Sequence, residues 1–231
     1  MMFSGLEIDV ETAFGRAMIA SVAGQPQIFG FAVGTDRPQA SPCSVFLQLR
    51  VDEERLLDSI SLPDNGKVLD YGCGVGRHLS HIRAKNAAVQ CFGIDTCDLL
   101  LNHCRHVLAP ATFVKALNEL EGEQFDLIML MGNGLGVLGD EIQAVSGLEQ
   151  LVSILRPHGR LLIESGNPFG AGYATKICHI QYQQHRDGPF NWGFADRAWV
   201  KDTMRQIGST VEFRKSDGLG GMFFFAVAEK S

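Results

Sequence analysis

The 231-residue chain has no Cys-x-x-Cys pair, no apolar run approaching 18 residues, no internal repeat, no low-complexity tract and no excess of basic charge. Each absence removes a class of function. Lys and Arg number 20 against 26 Asp and Glu, a net charge of −6. That balance argues against a sequence-independent grip on nucleic acid or an anionic membrane, because both need surplus cations. The six cysteines, Cys43, Cys73, Cys91, Cys97, Cys104 and Cys178, match no zinc module or disulfide scaffold. In a chain long enough to bury a full core they read as small hydrophobes in a reducing compartment. No basic segment followed by an apolar one opens the chain, and no stretch is long enough to span a bilayer, so a cytoplasmic protein is expected.

What the chain has is glycine, 26 residues of it, in clusters. Leu6, Val10, Phe14, Ala17 and Met18 recur at helical spacing and predict a helix over 6–20. Residues 22–44, with Gly24, Pro26, Gly30, Gly34, Pro38 and Pro42, read as loop or irregular strand, and a second helix is expected over 46–60. From Asp64-Asn65-Gly66 onward the pattern turns regular. Buried strands are expected at 67–70, 89–94, 111–114, 125–131 and 160–165, with helices at 75–85, 98–107 and 141–155 between them. Strands alternating with helices mean parallel pairing with helices on both faces of the sheet. Residues 166–195 break the rhythm, and a helix capped by Asp196 and an antiparallel hairpin of 211–215 with 222–228 close the chain. The expected architecture is a doubly wound α/β domain over 63–231 with the 166–195 insertion on its substrate side. Residues 1–62 are expected to be a helical N-terminal extension packing over the site.

Two Gly-rich loops follow strands. Gly134-Leu135-Gly136-Val137-Leu138-Gly139 formally matches the dinucleotide pattern G-x-G-x-x-G, with Glu164 at the end of the following strand. The other loop is Asp70-Tyr71-Gly72-Cys73-Gly74-Val75-Gly76, with Asp95 lying 19 residues beyond Gly76. Chain order favours the second of these, because ligands of doubly wound sheets sit beside the first strand, where strand order reverses. It departs from the nicotinamide fingerprint, since the third glycine is replaced by Arg77 and the leading Asp70 suits a cationic ligand better than a pyrophosphate.

Val68-Leu69-Asp70-Tyr71-Gly72-Cys73-Gly74-Val75-Gly76-Arg77 resembles the first motif of class I S-adenosylmethionine-dependent methyltransferases. The resemblance continues through Gly93-Ile94-Asp95, Phe125-Asp126-Leu127-Ile128 and Leu155-Arg156-Pro157-His158-Gly159-Arg160-Leu161-Leu162, across residues 66–165. It implies a mostly parallel seven-stranded sheet ending in an antiparallel hairpin, with S-adenosylmethionine across the carboxyl ends of its first, second and fourth strands. By position, Gly72, Cys73 and Gly74 would line the methionine moiety, Asp70 would organise its amino-acid group, and Asp95 would accept the ribose hydroxyls. Thr96 would lie beside the adenine, and Met131 and Gly132 near the cofactor. The acidic residue that many members carry after the third strand is replaced by Val114-Lys115-Ala116-Leu117, leaving a backbone contact from Ala116 or Leu117.

The implied activity is methyl transfer to a small-molecule acceptor, oxygen or nitrogen ahead of carbon, by metal-independent in-line displacement that leaves S-adenosylhomocysteine. The rival is a catalytically silent cofactor-binding or interaction protein on the same fold, with a nicotinamide oxidoreductase third. Asn133, Tyr173, Tyr182 and Trp192 are the candidate acceptor contacts, and His179, His185 and Tyr173, with Glu164 beside them, the candidate bases. The bland reading is that the aromatics of 166–195 only anchor a long loop; long loops in compact domains more often bind or cover ligands. The pairs His78/His81 and His103/His106 lack a supporting third ligand, so no metal is expected, and His78 suits a capping or packing role. Neither nucleic acid nor a membrane is an expected partner, and the chain is expected to be a monomer or homodimer.

Overall fold

The computed structural model describes residues 12–230; Leu6 and Val10, expected on the first helix, lie outside the described residues. Thr12 caps α1 (Ala13–Val22) by accepting the Gly15 N–H, and the helix buries Ala13, Ala17 and Met18 along one stripe. The stretch expected as loop or irregular strand is a hairpin of β1 (Ile28–Val33) and β2 (Gln39–Pro42). The expected second helix is split into a single turn, α2 (Ser44–Leu47), and α3 (Val51–Asp58). Arg50 between them is extended, and its N–H is taken by the Glu53 carboxylate at 2.7 Å. The carbonyls of Val45 and Gln48 accept from the Arg77 guanidinium instead of continuing a helical ladder.

The regular part follows as β3 (Lys67–Tyr71), α4 (Arg77–Lys85), β4 (Gln90–Ile94), α5 (Asp98–Val107), β5 (Thr112–Val114), β6 (Phe125–Leu130), α6 (Glu141–Ser153) and β7 (Leu155–Ser165). Then come β8 (Tyr173–Tyr182), β9 (His185–Ala195), α7 (Arg197–Gln206), β10 (Ser209–Lys215) and β11 (Phe224–Lys230). Seven strands form one sheet in the order β10-β11-β7-β6-β3-β4-β5, parallel from β7 to β5, with β11 antiparallel to both β7 and β10. Successive residues of the central strands point to opposite layers and both are apolar, as a sheet covered on both faces requires. Leu69, Ile128, Leu161 and Ile163 pack with Leu148 and Leu151 of α6 and with Val200 and Met204 of α7. Their neighbours Val68, Leu127, Met129 and Leu162 pack with α3, α4 and α5 through Leu56, Leu57, Leu79, Ile82 and Leu101.

Residues 166–195 are not an irregular insertion. β8 and β9 form a hairpin, β1 pairs with β8, and the result is a four-stranded antiparallel sheet, β2-β1-β8-β9, shared between the N-terminal extension and the main domain. α1 lies on this second sheet, its N-terminus held by the Asp187 carboxylate of β9, which accepts the N–H groups of Ala13 at 2.7 Å and Phe14 at 2.9 Å. The extension is therefore part helix and part strand. In the large sheet the chain runs from β3 outward to β5, then returns to β6 on the other side of β3. That reversal opens a crevice at the carboxyl ends of β3 and β6.

Candidate active site

The loop leaving β3 is built from glycines with positive φ: 81° at Gly72, 54° at Gly74 and 76° at Gly76. The N–H groups of Gly72 and Cys73 both donate to the Ile94 carbonyl of β4, at 2.8 and 2.9 Å, which folds the loop over the strand ends. Asp95 follows β4 directly and accepts the N–H groups of Gly74 and Cys97, each at 2.9 Å. Burial pushes its carboxyl above the ordinary range, and those backbone donors oppose the rise. A Cβ placed on Gly74 would meet nothing within 4 Å, so the loop's outer side is an open cradle with a carboxylate beside it. This arrangement fits the amino-acid end and ribose of S-adenosylmethionine. Thr96 is exposed next to Asp95, and Met131 is buried at the end of β6. Beyond β5, the Glu119 carboxylate accepts from the N–H groups of Lys115 and Ala116, and the Ala116 carbonyl accepts from Glu119, so both backbone groups of Ala116 are occupied.

Beneath the cradle lies a buried charge network. Asp70, 1% exposed, stands on β3, and its Oδ2 is 3.1 Å from His78 Nδ1. Glu53 of α3 is fully buried and receives the Arg77 guanidinium at 2.7 Å. Burial raises its carboxyl, but His78 and Arg77 more than cancel this and hold it below the ordinary range. Arg77 also donates to the Val45 and Gln48 carbonyls of the N-terminal extension. Glu164, at the end of β7, is fully buried against Arg50 and accepts from Ser216 Oγ at 2.6 Å and from the Gly132 N–H at 2.8 Å.

On the opposite rim a single 3-10 turn, Gly134–Leu138, meets the β8–β9 hairpin. The Trp192 indole occupies the space a Cβ on Gly136 would need, and the Tyr173 hydroxyl donates to the Gly139 carbonyl at 2.7 Å while its ring packs on Trp199. Asn133, left-handed at φ 58° and 5% exposed, sends Nδ2 toward the Gly193 carbonyl at 3.4 Å and leaves Oδ1 buried without a partner. Val137 of the same turn is partly exposed, and its Cγ2 lies 3.6 Å from where a Gly72 Cβ would stand. Asn133, Tyr173 and Trp192 thus form one clasp between the turn and the hairpin.

A family model described as a methyltransferase domain matches residues 68–159. The chain is 36% identical over 164 residues to a tRNA U34 carboxymethyltransferase of Pseudoalteromonas translucida, a match covering 67% of this chain and 48% of the relative. Its fold superposes on that of a Bacteroides fragilis SAM-dependent methyltransferase crystallised with S-adenosyl-L-homocysteine, with a TM-score of 0.81 at 18% identity over 99% of this chain and 98% of the other. Over residues 68–159 the chain matches a methyltransferase domain, and its fold is that of the class I S-adenosylmethionine-dependent methyltransferases. A Burkholderia thailandensis 1,6-didemethyltoxoflavin-N1-methyltransferase, crystallised with bound 1,6-didemethyltoxoflavin and S-adenosylhomocysteine, shares the fold at TM-score 0.60 and 18% identity, over 78% of this chain and 77% of that one. The chain spans about half the length of the curated relatives it matches.

Gly72, Cys73, Gly74 and Asp95 come together at the carboxyl ends of β3 and β4, with Asp70 buried beneath them, whereas the residues expected on the acceptor side divide. Tyr173, Trp192 and Asn133 meet at the clasp. Tyr182 lies elsewhere, buried among Met18, Phe29, Cys43 and Leu100 with its hydroxyl donating to Gln27 at 2.9 Å. His179 lines a cleft of about 160 Å³ with Asp36 and Arg186 on the second sheet, and the Nε2 atom of His185 lies 3.2 Å from the Gln184 amide nitrogen. Arg50, Glu53 and Ser216 were not visible in the motifs, and only the Arg50-x-x-Glu53 spacing, which resembles a helix-start box, marked any of them; Gly136 stood in the Gly134–Gly139 motif, which did not point to Trp192. Among the described residues no group of three or more His, Cys, Asp or Glu side chains is placed to hold a metal ion, and no helix is long and apolar enough to cross a membrane.

Proposed function

We propose that this methyltransferase moves a methyl group from S-adenosylmethionine to a small-molecule acceptor, at oxygen or nitrogen and without a metal. The observation that carries the reading is the clasp: the hairpin is locked to the 3-10 turn by Tyr173, Trp192 and Asn133 at the carboxyl end of β6. A fixed wall there suits an acceptor held by a few orienting contacts. The sulfonium cofactor supplies a methyl group that is already activated. The chain's share of the work is therefore orientation and exclusion of water.

Gly72, Cys73 and Gly74 would hold the methionine end with backbone atoms, beside Asp70. Asp95 would exchange its backbone donors for the ribose hydroxyls, and Thr96 and Leu117 would border the adenine, Ala116 being engaged by Glu119. Met131 and Gly132 would floor the crevice. Burial and the neighbouring Asp140 and Glu141 push the Tyr173 hydroxyl well above its ordinary range, so it orients instead of serving as a base. His179 and His185 then belong to the second sheet's own packing and surface.

A tRNA acceptor, named for the Pseudoalteromonas relative, fits less well, because a chain of net charge −6 offers little to a phosphate backbone. The test is methyl-tritiated S-adenosylmethionine incubated with a metabolite extract and, separately, with total tRNA. Label in the low-mass fraction that disappears with Asp95→Ala supports the proposal. Label in tRNA, or tight S-adenosylhomocysteine binding with no transfer to either pool, would replace it with an RNA-directed or a silent protein.

A further inference from the structure

The Glu53–His78–Asp70 chain runs from the N-terminal extension, through the first turn of α4, to the strand that carries the cofactor loop. His78 is 5% exposed; its Nδ1 lies 3.1 Å from Asp70 Oδ2, and its Nε2, buried and without a hydrogen-bond partner, faces Glu53 Oε1 at 3.6 Å. A neutral imidazole donating to Asp70 would turn a lone pair toward a second carboxylate. A protonated one presents N–H groups to both. The charge count points the same way. Asp70 on β3, Asp52 and Glu53 on α3 and Glu164 on β7 face two guanidiniums, Arg77 on α4 and Arg50 ahead of α3, leaving two negative charges, one of which a proton on His78 balances.

We propose that His78 is a positioning residue for the cofactor: in its protonated form it fixes the Asp70 carboxylate through Nδ1 and ties it to Glu53 of the N-terminal extension through Nε2. The proposal rests on the cofactor reading given above. It adds that the extension completes the cradle, through an ion bridge instead of through contact with the ligand. Burial and the nearby Arg77 guanidinium oppose the proton, yet Asp70 and Glu53 outweigh them and raise the imidazole above its ordinary value. A raised value in the folded state means stability that is complete below about pH 6.5, the unfolded value, and lost as pH rises through the folded one.

Two measurements test this. Histidine side-chain NMR of the unliganded protein, with His78 assigned by its loss in His78→Gln, should show it titrating above pH 6.5 and shifted downward in Glu53→Gln. Melting temperature should fall across the same window in the wild type, and His78→Gln should lack that fall. Calorimetry with S-adenosylhomocysteine at neutral pH should show His78→Gln weakened on the order of tenfold, the worth of one charge-assisted hydrogen bond. A neutral His78 at pH 6, or an affinity unchanged in a folded His78→Gln protein, overturns the proposal. Absence of S-adenosylhomocysteine binding to the wild type would instead overturn the cofactor reading, and the titration would still report on the bridge.

Discussion

The Trp192 indole fills the volume that a side chain on Gly136 would require. Neither residue touches the β3 loop in sequence or in strand order, yet together they fix how the β8–β9 hairpin closes on the end of β6. Gly136→Ala and Trp192→Ala disturb this contact from its two sides, and Tyr173→Ala removes the neighbouring bond to Gly139. Each should reduce kcat/KM for the acceptor by at least about tenfold, roughly 1.4 kcal/mol of transition-state binding, while S-adenosylhomocysteine affinity stays nearly unchanged. Parallel loss of cofactor affinity and melting temperature in all three would mean that the clasp only packs the hairpin.

The parallel core was legible because its signals are local. Lys67–Tyr71, Gln90–Ile94 and Phe125–Leu130 are short apolar runs bounded by glycine or acid, and each pairs with a neighbour that the alternation of strand and helix dictates. The second sheet was not, because its pairing is remote: Phe31 of a Gly- and Pro-rich segment meets Ile180, and no periodicity near either residue records the other. The cradle was legible through Gly72, Gly74 and Asp95 for the same local reason. The charge network was not, since Glu53 and Arg50 meet His78 and Glu164 only after folding. Arg77, which stands where the nicotinamide pattern has its third glycine, is 9% exposed and donates to Val45, Gln48 and Glu53, partners that no sequence pattern near it records.

Asp95→Ala should weaken S-adenosylhomocysteine binding at least about tenfold, since hydrogen bonds to a charged group contribute about 1.5–3 kcal/mol. The same change orphans the Gly74 and Cys97 N–H groups, so some loss of melting temperature accompanies it. Asp95→Asn keeps an acceptor oxygen and separates the two effects: it should recover most of the stability and little of the affinity. Calorimetry beside thermal melting reads both.

Glu164→Ala tests the joint between the extension and the sheet. It leaves the Arg50 guanidinium, the Ser216 hydroxyl and the Gly132 N–H without their shared acceptor. Breaking a buried pair costs about 3–5 kcal/mol, and the partial exposure of Arg50 places this pair at or below the lower end. Glu164→Gln, which keeps one oxygen to accept from either Ser216 or Gly132, should lose less. Equal denaturant midpoints for wild type and Glu164→Ala would show that Arg50 finds water at no cost.

Asp187 and α1 give the sharpest test of the second sheet. One carboxylate on β9 accepts from the Ala13 and Phe14 N–H groups, 174 and 173 residues away in sequence. It also places negative charge at the positive end of a ten-residue helix. Asp187→Ala therefore removes a long-range helix cap, worth about 0.5–2 kcal/mol for caps in general. For a domain of this size the melting temperature should fall by about 2–4 °C per kcal/mol. Asp187→Asn keeps one acceptor but no charge, and should fall between. The distinguishing readout is local: hydrogen exchange should quicken along Ala13–Val22 and in β1 and β8, whose side chains pack against that helix, and stay unchanged in β3 and β6. If exchange rose uniformly across both sheets, Asp187 would be stabilising the whole domain, and α1 would not be a separately anchored element.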